Sequence, residues 1–197
     1  MKLSAGGIPF YARKMTRIDA ETVCGWRYEG TMEVYNIEDS SQAVEEFFDG
    51  CHFALSERFG GQVNAFVNFG ERATLPLKEL ENIYRDESYT DMALGLMPEK
   101  CGKGLGKSLV LAAMELCSRF FPEDGFRVTV AKNNTPAMRI YRGLGFETIA
   151  EFTAEIIYPD KAGKLRTRKT AMEILAAPPE VLEKHGKFDK RKEFSKE

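Results

Sequence analysis

Three glycines at alternate positions, Gly102, Gly104 and Gly106, stand directly before an amphipathic stretch of the chain. Glycine enters positive φ at little cost, so a turn of this kind leaves its backbone N–H groups pointing outward. A helix that begins there adds unpaired N–H groups and the positive end of its dipole. The pattern therefore predicts a site for a phosphate-bearing cofactor, in which a pyrophosphate binds without a cationic side chain for every oxygen.

The elements around this turn are predicted to be a strand, a helix, a second strand and a short helix. Apolar residues recur at steps of three and four from Gly104 to about Phe120, which is typical of an amphipathic helix. Apolar and other residues alternate over 126–131, which predicts a strand. The short helix begins at Asn134 or Thr135, where an N-cap side chain is available, and a glycine ends it.

Together these residues resemble the GNAT superfamily of acetyl-CoA-dependent N-acyltransferases, whose pyrophosphate loop reads Gln or Arg, two residues, Gly, one residue, Gly or Ala. Residues 101–106 read Cys-Gly-Lys-Gly-Leu-Gly, so a cysteine stands where the family has Gln or Arg. The resemblance covers residues 89 to 150 and is nearest to the branch of ribosomal-protein and aminoglycoside acetyltransferases. The residues outside the loop that match at the family's offsets are Pro98, Asn134, Ala137, Tyr141, Gly145 and Phe146.

The resemblance implies an α/β fold, GNAT-like, with a mixed and mostly antiparallel central sheet flanked by helices. Residues 1–177 would form this single N-acetyltransferase domain, and residues 178–197 a charged C-terminal tail or surface helix. Acetyl-CoA would be the co-substrate and would lie between two splayed strands that end near Met97 and Ala131. The residues implied to bind it are Gly95, Leu96, Met97, Gly102, Lys103, Gly104, Leu105, Gly106, Lys107, Asn134, Ala137 and Tyr141.

Two residues are candidates for catalysis. Acetyl transfer to an amine needs the acceptor to lose a proton and the leaving thiolate to gain one. The resemblance places Tyr141 near the cofactor sulfur as the proton donor, and the alternative is a core aromatic residue. It also suggests Asp91 as a general base acting through water, with a solvated aspartate at a strand end as the alternative. Thr129 occupies a position that some enzymes acting on protein N-termini fill with glutamate.

Composition limits the other function classes. With 197 residues, 43% hydrophobic and 29% charged, the chain has enough residues for one substantial core. A formal charge of −2 argues against a nucleic-acid partner. The four cysteines form no CxxC pair, and neither His52 nor His185 has a partner in view, so no metal is predicted. No apolar run is long enough to span a membrane, and we expect a cytoplasmic protein.

The predicted function is an N-acetyltransferase that moves an acetyl group from acetyl-CoA to a primary amine by direct attack in a ternary complex. The acceptor would be a small molecule, a protein N-terminus or a side chain, and the protein a monomer or homodimer. A noncatalytic acyl-CoA sensor on the same fold is one alternative. A P-loop phosphotransferase is another, because Gly106-Lys107-Ser108 completes half of the motif GxxxxGK[ST], although the first glycine is replaced by cysteine.

Residues 18–50 and 158–168 are expected to wall the acceptor groove. The second segment is rich in Lys and Arg, which indicates either a solvated loop or an acidic acceptor, whereas Glu33, Tyr35 and Asp91 favour a cationic one, so the charge of the acceptor stays open. The remaining predicted elements are a strand over 10–18, a helix from Asp19 toward Tyr28, a helix over 41–49, strands 52–57 and 62–69 flanking a two-residue hairpin at Gly60-Gly61, an irregular connection over 71–90, a strand over 90–97 and a hairpin of 148–157 with 168–175.

Overall fold

A computed structural model describes residues 1–122 and 124–185 of the chain. It contains one sheet of eight strands, and helices that pack against it. The strands are β1 (Lys2–Leu3), β2 (Phe10–Lys14), β3 (His52–Ser56), β4 (Ala65–Phe69), β5 (Tyr89–Leu96), β6 (Gly125–Ala131), β7 (Glu147–Pro159) and β8 (Leu165–Ala177). The α-helices are α1 (Arg17–Cys24), α2 (Ser41–Phe47), α3 (Glu81–Tyr84), α4 (Gly106–Phe120), α5 (Thr135–Leu144) and α6 (Glu180–His185), and the 3₁₀ turns span Gly30–Tyr35, Gly70–Ala73, Lys78–Leu80 and Pro98–Lys100.

The strands lie in the order β1-β2-β3-β4-β5-β6-β8-β7, and every neighbouring pair is antiparallel except β5 with β6. That parallel pair is short: it ends at the register pair Asp91 and Arg127. Beyond this point β5 continues to pair with β4, and β6 continues to pair with β8. The two strands therefore diverge, and we call the gap between residues 92–96 and 128–131 the wedge.

Helix α4 lies across the sheet and is buried on two sides. Leu111 and Met114 pack with the inward side chains of β6, while Leu109 and Leu116 pack with those of β2, β3 and β4. The helix therefore joins the two halves of the sheet on either side of the wedge, and its N-terminus is fixed at the end of the sheet where β5 and β6 separate. The predicted α/β class and mostly antiparallel sheet are confirmed.

Several predicted elements were wrong in detail. Asp19 does not cap α1; Thr16 does, and Asp19 is the third helical residue, whose carboxylate accepts from the Thr16 N–H in a capping box. The first strand ends at Lys14, and β1 was not predicted. Residues 57–64, rather than two glycines, connect β3 to β4. The irregular connection before β5 contains 3₁₀ turns and α3.

The start of the predicted C-terminal tail is docked. In α6, Val181 and Leu182 are buried in the same core cluster as α4 and β6. The rest of the tail, residues 186–197, lies outside the described residues, and a domain end at residue 177 stays a prediction. Among the helices described, none has the length and apolar composition required to cross a membrane.

Candidate acetyl-CoA site

The glycine turn before α4 has the backbone that was predicted for it. Gly102 and Gly104 have φ of +73° and +79°, and the space that a Cβ would occupy at either is open. Among the described residues, no N–H group from 102 to 108 has a hydrogen-bond partner, and no side chain caps the helix. A row of free donors at a helix N-terminus is a binding site suited to phosphate oxygens, so these residues fit a diphosphate.

Gly106 and Gly95 have a different role, since both allow close packing. A Cβ on Gly106 would lie 2.7 Å from Ile140 Cδ1, so the glycine lets the start of α4 approach α5. A Cβ on Gly95 would lie 2.3 Å from Phe66 Cε1, so the glycine lets that ring lie across β5. Both contacts shape the walls of the wedge rather than expose donors.

On both edges of the wedge, some backbone groups face into the gap rather than toward the neighbouring strands β4 and β8. The Met97 N–H donates to Asn64 O at 2.7 Å on the β4 side, and alternation along the strand turns the N–H and C=O of Leu96 toward the wedge. On the other edge, the Lys132 N–H donates to Ala171 O at 2.9 Å, so the Ala131 N–H faces the wedge. The Leu96 N–H is thus turned toward the space that an extended acyl carrier would occupy, whereas the Leu96 carbonyl and the Ala131 N–H are already hydrogen-bonded to tyrosine hydroxyls.

Asn134 caps α5, which is one of the two roles predicted for it; the other is contact with the cofactor. Its Oδ1 accepts from the Ala137 N–H at 3.3 Å, and its Nδ2 donates to the Tyr35 hydroxyl at 3.3 Å. The α5 helix ends at Gly145, which has a φ of +94°. The side chain of Asn134 is therefore held at the end of β6, next to the wedge.

Tyr141 lies on α5 and is only 6% exposed. Its ring packs against Phe146 with centroids 5.2 Å apart, and its hydroxyl makes no hydrogen bond with residues 1–122 or 124–185. Burial, and to a smaller extent the nearby Tyr35, raises the pKa of Tyr141 well above its ordinary value. Full proton transfer to a thiolate whose conjugate thiol has a pKa of about 8.5 is therefore uphill. The phenol is better suited to donate a hydrogen bond to a developing thiolate than to surrender its proton.

Asp91 is neither solvated nor free. The carboxylate is 6% exposed and accepts from Arg127 Nε at 2.8 Å and Nη2 at 2.7 Å. Arg127 is 1% exposed, and its guanidinium also donates to the carbonyls of Ile83 and Tyr84 and lies over the Tyr84 ring. Both carboxylate oxygens bind the guanidinium, so turning the carboxylate toward a water would leave a buried charge without its partner. We therefore do not carry Asp91 forward as a base.

Replacement of this carboxylate is expected to destabilise the fold. Asp91→Asn should lower the free energy of unfolding by about 3 kcal/mol, because it removes one partner of a buried ion pair. Urea unfolding would measure the change. Glu81→Gln is the matched control, since Glu81 pairs with Arg85 at 3.4 Å on the surface and should cost less than about 1 kcal/mol. Equal stability of the Asp91 variant and the wild type, with a shifted pH optimum for turnover, would restore the base assignment.

The side chains around the glycine turn separate the remaining alternatives. Cys101 is exposed, but its Sγ lies 3.6 Å from Leu96 O, and partial desolvation together with the Glu99 carboxylate raises the pKa of the thiol, which makes it less reactive than a free cysteine. The Ser108 hydroxyl donates to Gly6 O at 2.7 Å and is buried. A P-loop needs that hydroxyl on Mg²⁺, so this alternative is not supported. Lys103 and Lys107 are exposed at the mouth of the turn.

The two expected walls of the acceptor groove meet, and their opposite charges pair. Lys161 contacts Glu29 at 2.5 Å, and Arg168 lies 3.9 Å from Glu33. The basic and acidic signals of the sequence therefore largely offset each other.

The sequence indicated no partner for His52, and this was wrong. His52 is buried, and its Nδ1 lies 3.0 Å from Asp49 Oδ1. The described residues contain no cluster of potential ligands that could hold a metal ion.

Two tyrosines at the wedge were missed or left without a role by sequence reasoning. Tyr28 was treated as a helix end, and Tyr35 as a residue of the groove wall. In the structure the hydroxyl of Tyr28 donates to Leu96 O at 2.9 Å, and that of Tyr35 accepts from the Ala131 N–H at 3.0 Å. Nothing in their sequence spacing indicates these contacts, which depend on how a 3₁₀ turn packs on the sheet.

Comparison with known families and proteins matches residues 82–155 to the family described as FR47-like protein. The chain is 27% identical over 131 residues to a mycothiol acetyltransferase from Arthrobacter sp. (strain FB24), an alignment that covers 63% of this chain and 35% of the relative. It is 31% identical over 130 residues to a mycothiol acetyltransferase from Thermobispora bispora, covering 63% and 39%. The chain thus spans well under half the length of the curated relatives it matches.

Solved structures show the same fold. An acetyltransferase (GNAT family) from Bacillus anthracis matches with a TM-score of 0.61 at 15% identity, over 91% of this chain and 99% of the other. A spermidine N-acetyltransferase SpeG chimera from Vibrio cholerae and hSSAT matches with a TM-score of 0.62 at 15% identity, over 88% and 97%. The acetyltransferase yncA from Salmonella typhimurium, solved with acetyl-CoA, gives 0.55 at 15% identity, over 86% and 94%. These likenesses establish the fold.

Proposed function

We propose that this chain, which shares the fold of GNAT acetyltransferases, is an N-acetyltransferase that moves an acetyl group from acetyl-CoA to a primary amine. The observation that carries the proposal is the row of N–H groups from 102 to 108, which have no partner in the part of the chain that the structure describes, next to a wedge toward which the Leu96 N–H faces. The first feature fits a diphosphate, and the second fits an extended arm. A molecule that combines both is an acyl-CoA.

The proposed division of labour assigns binding mainly to the backbone. The N–H groups of 102–108 would hold the phosphates, with Lys103 and Lys107 adding positive charge at the mouth. The edge at Gly95, Leu96 and Met97, with Asn134 and Ala137 opposite, would align the arm. Acetyl-CoA supplies the activated acetyl group as a thioester when bound.

Catalysis in this proposal rests on positioning and on Tyr141. Holding the amine and the acetyl group together can supply much of the rate enhancement, because a bimolecular step becomes effectively unimolecular. The neutral Tyr141 hydroxyl would donate a hydrogen bond where negative charge develops on sulfur. The buried Asp91 keeps its ion pair with Arg127, and the amine attacks directly in a ternary complex.

A panel of acceptors tests the activity. Purified protein is mixed with acetyl-CoA and an amine, and released coenzyme A is measured with a thiol reagent. The panel contains an α-amine dipeptide, a lysine peptide, a polyamine, an amino sugar and an aminothiol, the last because of the mycothiol acetyltransferase relatives. We expect release above the uncatalysed rate with at least one class of amine. Tight binding of acetyl-CoA without release for any amine would instead favour a noncatalytic sensor.

A further inference from the structure

A single loop contacts both edges of the wedge at its open end. The loop consists of residues 28–36, with a 3₁₀ turn at Gly30–Tyr35. From its beginning, the Tyr28 hydroxyl donates to the carbonyl of Leu96, the last residue of β5. From its end, the Tyr35 hydroxyl accepts from the N–H of Ala131, the last residue of β6. No ladder hydrogen bonds join β5 to β6 there, so this loop bridges strands that have separated.

The loop is closed on itself by a buried side chain. Asn36 is 6% exposed, and its Oδ1 accepts from the Tyr28 N–H at 2.6 Å while its Nδ2 lies 3.3 Å from Tyr28 O. The same Nδ2 donates to Pro159 O at 3.0 Å, which anchors the loop to the end of β7. Tyr28 and Tyr35 are therefore held at a fixed separation, and both are tied to a third strand.

Both phenols are neutral. Burial raises the pKa of Tyr28 and of Tyr35, so each hydroxyl keeps its proton at neutral pH. The Tyr35 oxygen already accepts from the Ala131 N–H and from Asn134 Nδ2, which uses both of its lone pairs. Tyr35 thus fixes the position of the strand end and of the Asn134 side chain at the same time.

We propose that residues 28–36 form a clasp that sets the width of the wedge, and that Tyr28 and Tyr35 are positioning residues for the arm of the acyl carrier. The inference rests on the proposed function for the identity of that carrier. The two tyrosines act through Leu96, Ala131 and Asn134, which lie at the edges of the wedge along which the arm would run. A displacement of about 1 Å at such a site can cost a factor of roughly 10² in rate.

The test separates the arm of coenzyme A from its phosphates. Calorimetry would measure Kd for coenzyme A and for 3′-phosphoadenosine 5′-diphosphate, which lacks the pantetheine arm. We expect Tyr28→Phe and Tyr35→Phe each to weaken coenzyme A about fivefold and to leave the Kd of the fragment unchanged. In the acetyl-transfer assay each should lower kcat about tenfold. Tyr11→Phe, on β2, is the matched control and should alter none of these values.

The double variant tests whether the two tyrosines act as one unit. If they form one clasp, Y28F/Y35F should lose about as much kcat as either single variant, because opening one end already frees the wedge. Wild-type values in both single variants would overturn the proposal. So would losses that multiply in the double variant, or equal weakening of coenzyme A and the fragment.

The proposed function and the clasp can fail separately. If the wild type transfers acetyl to no amine, the proposed function fails, while the ratio of the two Kd values still tests the clasp. Thermal melting, compared with Tyr11→Phe, shows whether each variant folds. If one of the two single variants does not fold, the other carries the test, since each releases one end of the loop.

Discussion

Gly104→Val is expected to abolish measurable binding of coenzyme A, with a Kd raised by at least about 10²-fold. Gly104 has a φ of +79°, a region that a β-branched residue enters only at a cost of about 1–3 kcal/mol. The space above its Cα is open in the structure, so the substitution meets no protein atom. That open space is where a phosphate would approach the free N–H groups. The valine side chain would therefore block the phosphate while leaving the core of the protein intact.

The control for this prediction separates backbone strain from loss of the site. Gly70 has a φ of +72° and also has open space at its Cβ position, but it follows β4 at the opposite end of that strand from the glycine turn. Gly70→Val should therefore lower the melting temperature about as much as Gly104→Val and retain binding. Calorimetric titration with coenzyme A gives the comparison. Wild-type affinity in Gly104→Val would contradict a cradle at residues 102–108.

The glycine turn was predictable because all of its signals are local. Glycines at 102 and 104 are required by positive φ, and apolar spacing along 106–120 specifies a helix whatever lies elsewhere. The same holds for Asn134 and Gly145, which cap the two ends of α5 through contacts within a few residues. Where local chemistry determines the backbone, the sequence alone was sufficient to predict the conformation of the glycine turn and the ends of α5.

The opposite face of the sheet was not predictable in the same way. Arg127 alternates with apolar neighbours in β6, yet its side chain is buried and donates to the carbonyls of Ile83 and Tyr84, in a segment that carries no periodic pattern. The partner of Asp91 follows from the parallel register of β5 with β6, a long-range pairing that spacing does not encode. Tyr28 and Tyr35 reach the wedge through the packing of a 3₁₀ turn. Each miss involved a contact between segments distant in sequence.

These long-range contacts change the proposed mechanism as well as the list of residues. With Asp91 held by Arg127, the carboxylate at the start of β5 maintains the short parallel pairing from which the wedge opens. The clasp holds the other end of the same gap. The wedge is thus bounded by a buried ion pair at its closed end and by two tyrosine hydroxyls at its open end. In the proposed acetyl transfer, positioning rather than an enzyme carboxylate then becomes the main contribution that this face of the sheet makes.

Tyr141→Phe is expected to lower kcat by about 10²- to 10³-fold, with less than a twofold change in the Kd of acetyl-CoA. The variant keeps the ring that packs on Phe146 and removes only the hydroxyl, which has no partner among the described residues. A hydrogen-bond donor aimed at developing charge in a site shielded from water is worth about 2.7–4 kcal/mol. Single-turnover acetyl transfer and calorimetry would measure the two quantities, and unchanged turnover would leave Tyr141 as a core residue.

The pH dependence adds a second check on the same residue. Burial raises the pKa of Tyr141, so its hydroxyl remains protonated as pH increases through 10, the ordinary value for a phenol, and its contribution is lost only above that. Over the range 7–10 the rate should therefore rise as the acceptor amine loses its proton, with no fall due to Tyr141. In Tyr141→Phe the profile should keep this shape at a lower level throughout. A fall in the wild-type rate between pH 8 and 10 that disappears in the variant would mean that the phenol ionises in this range, which is incompatible with its burial.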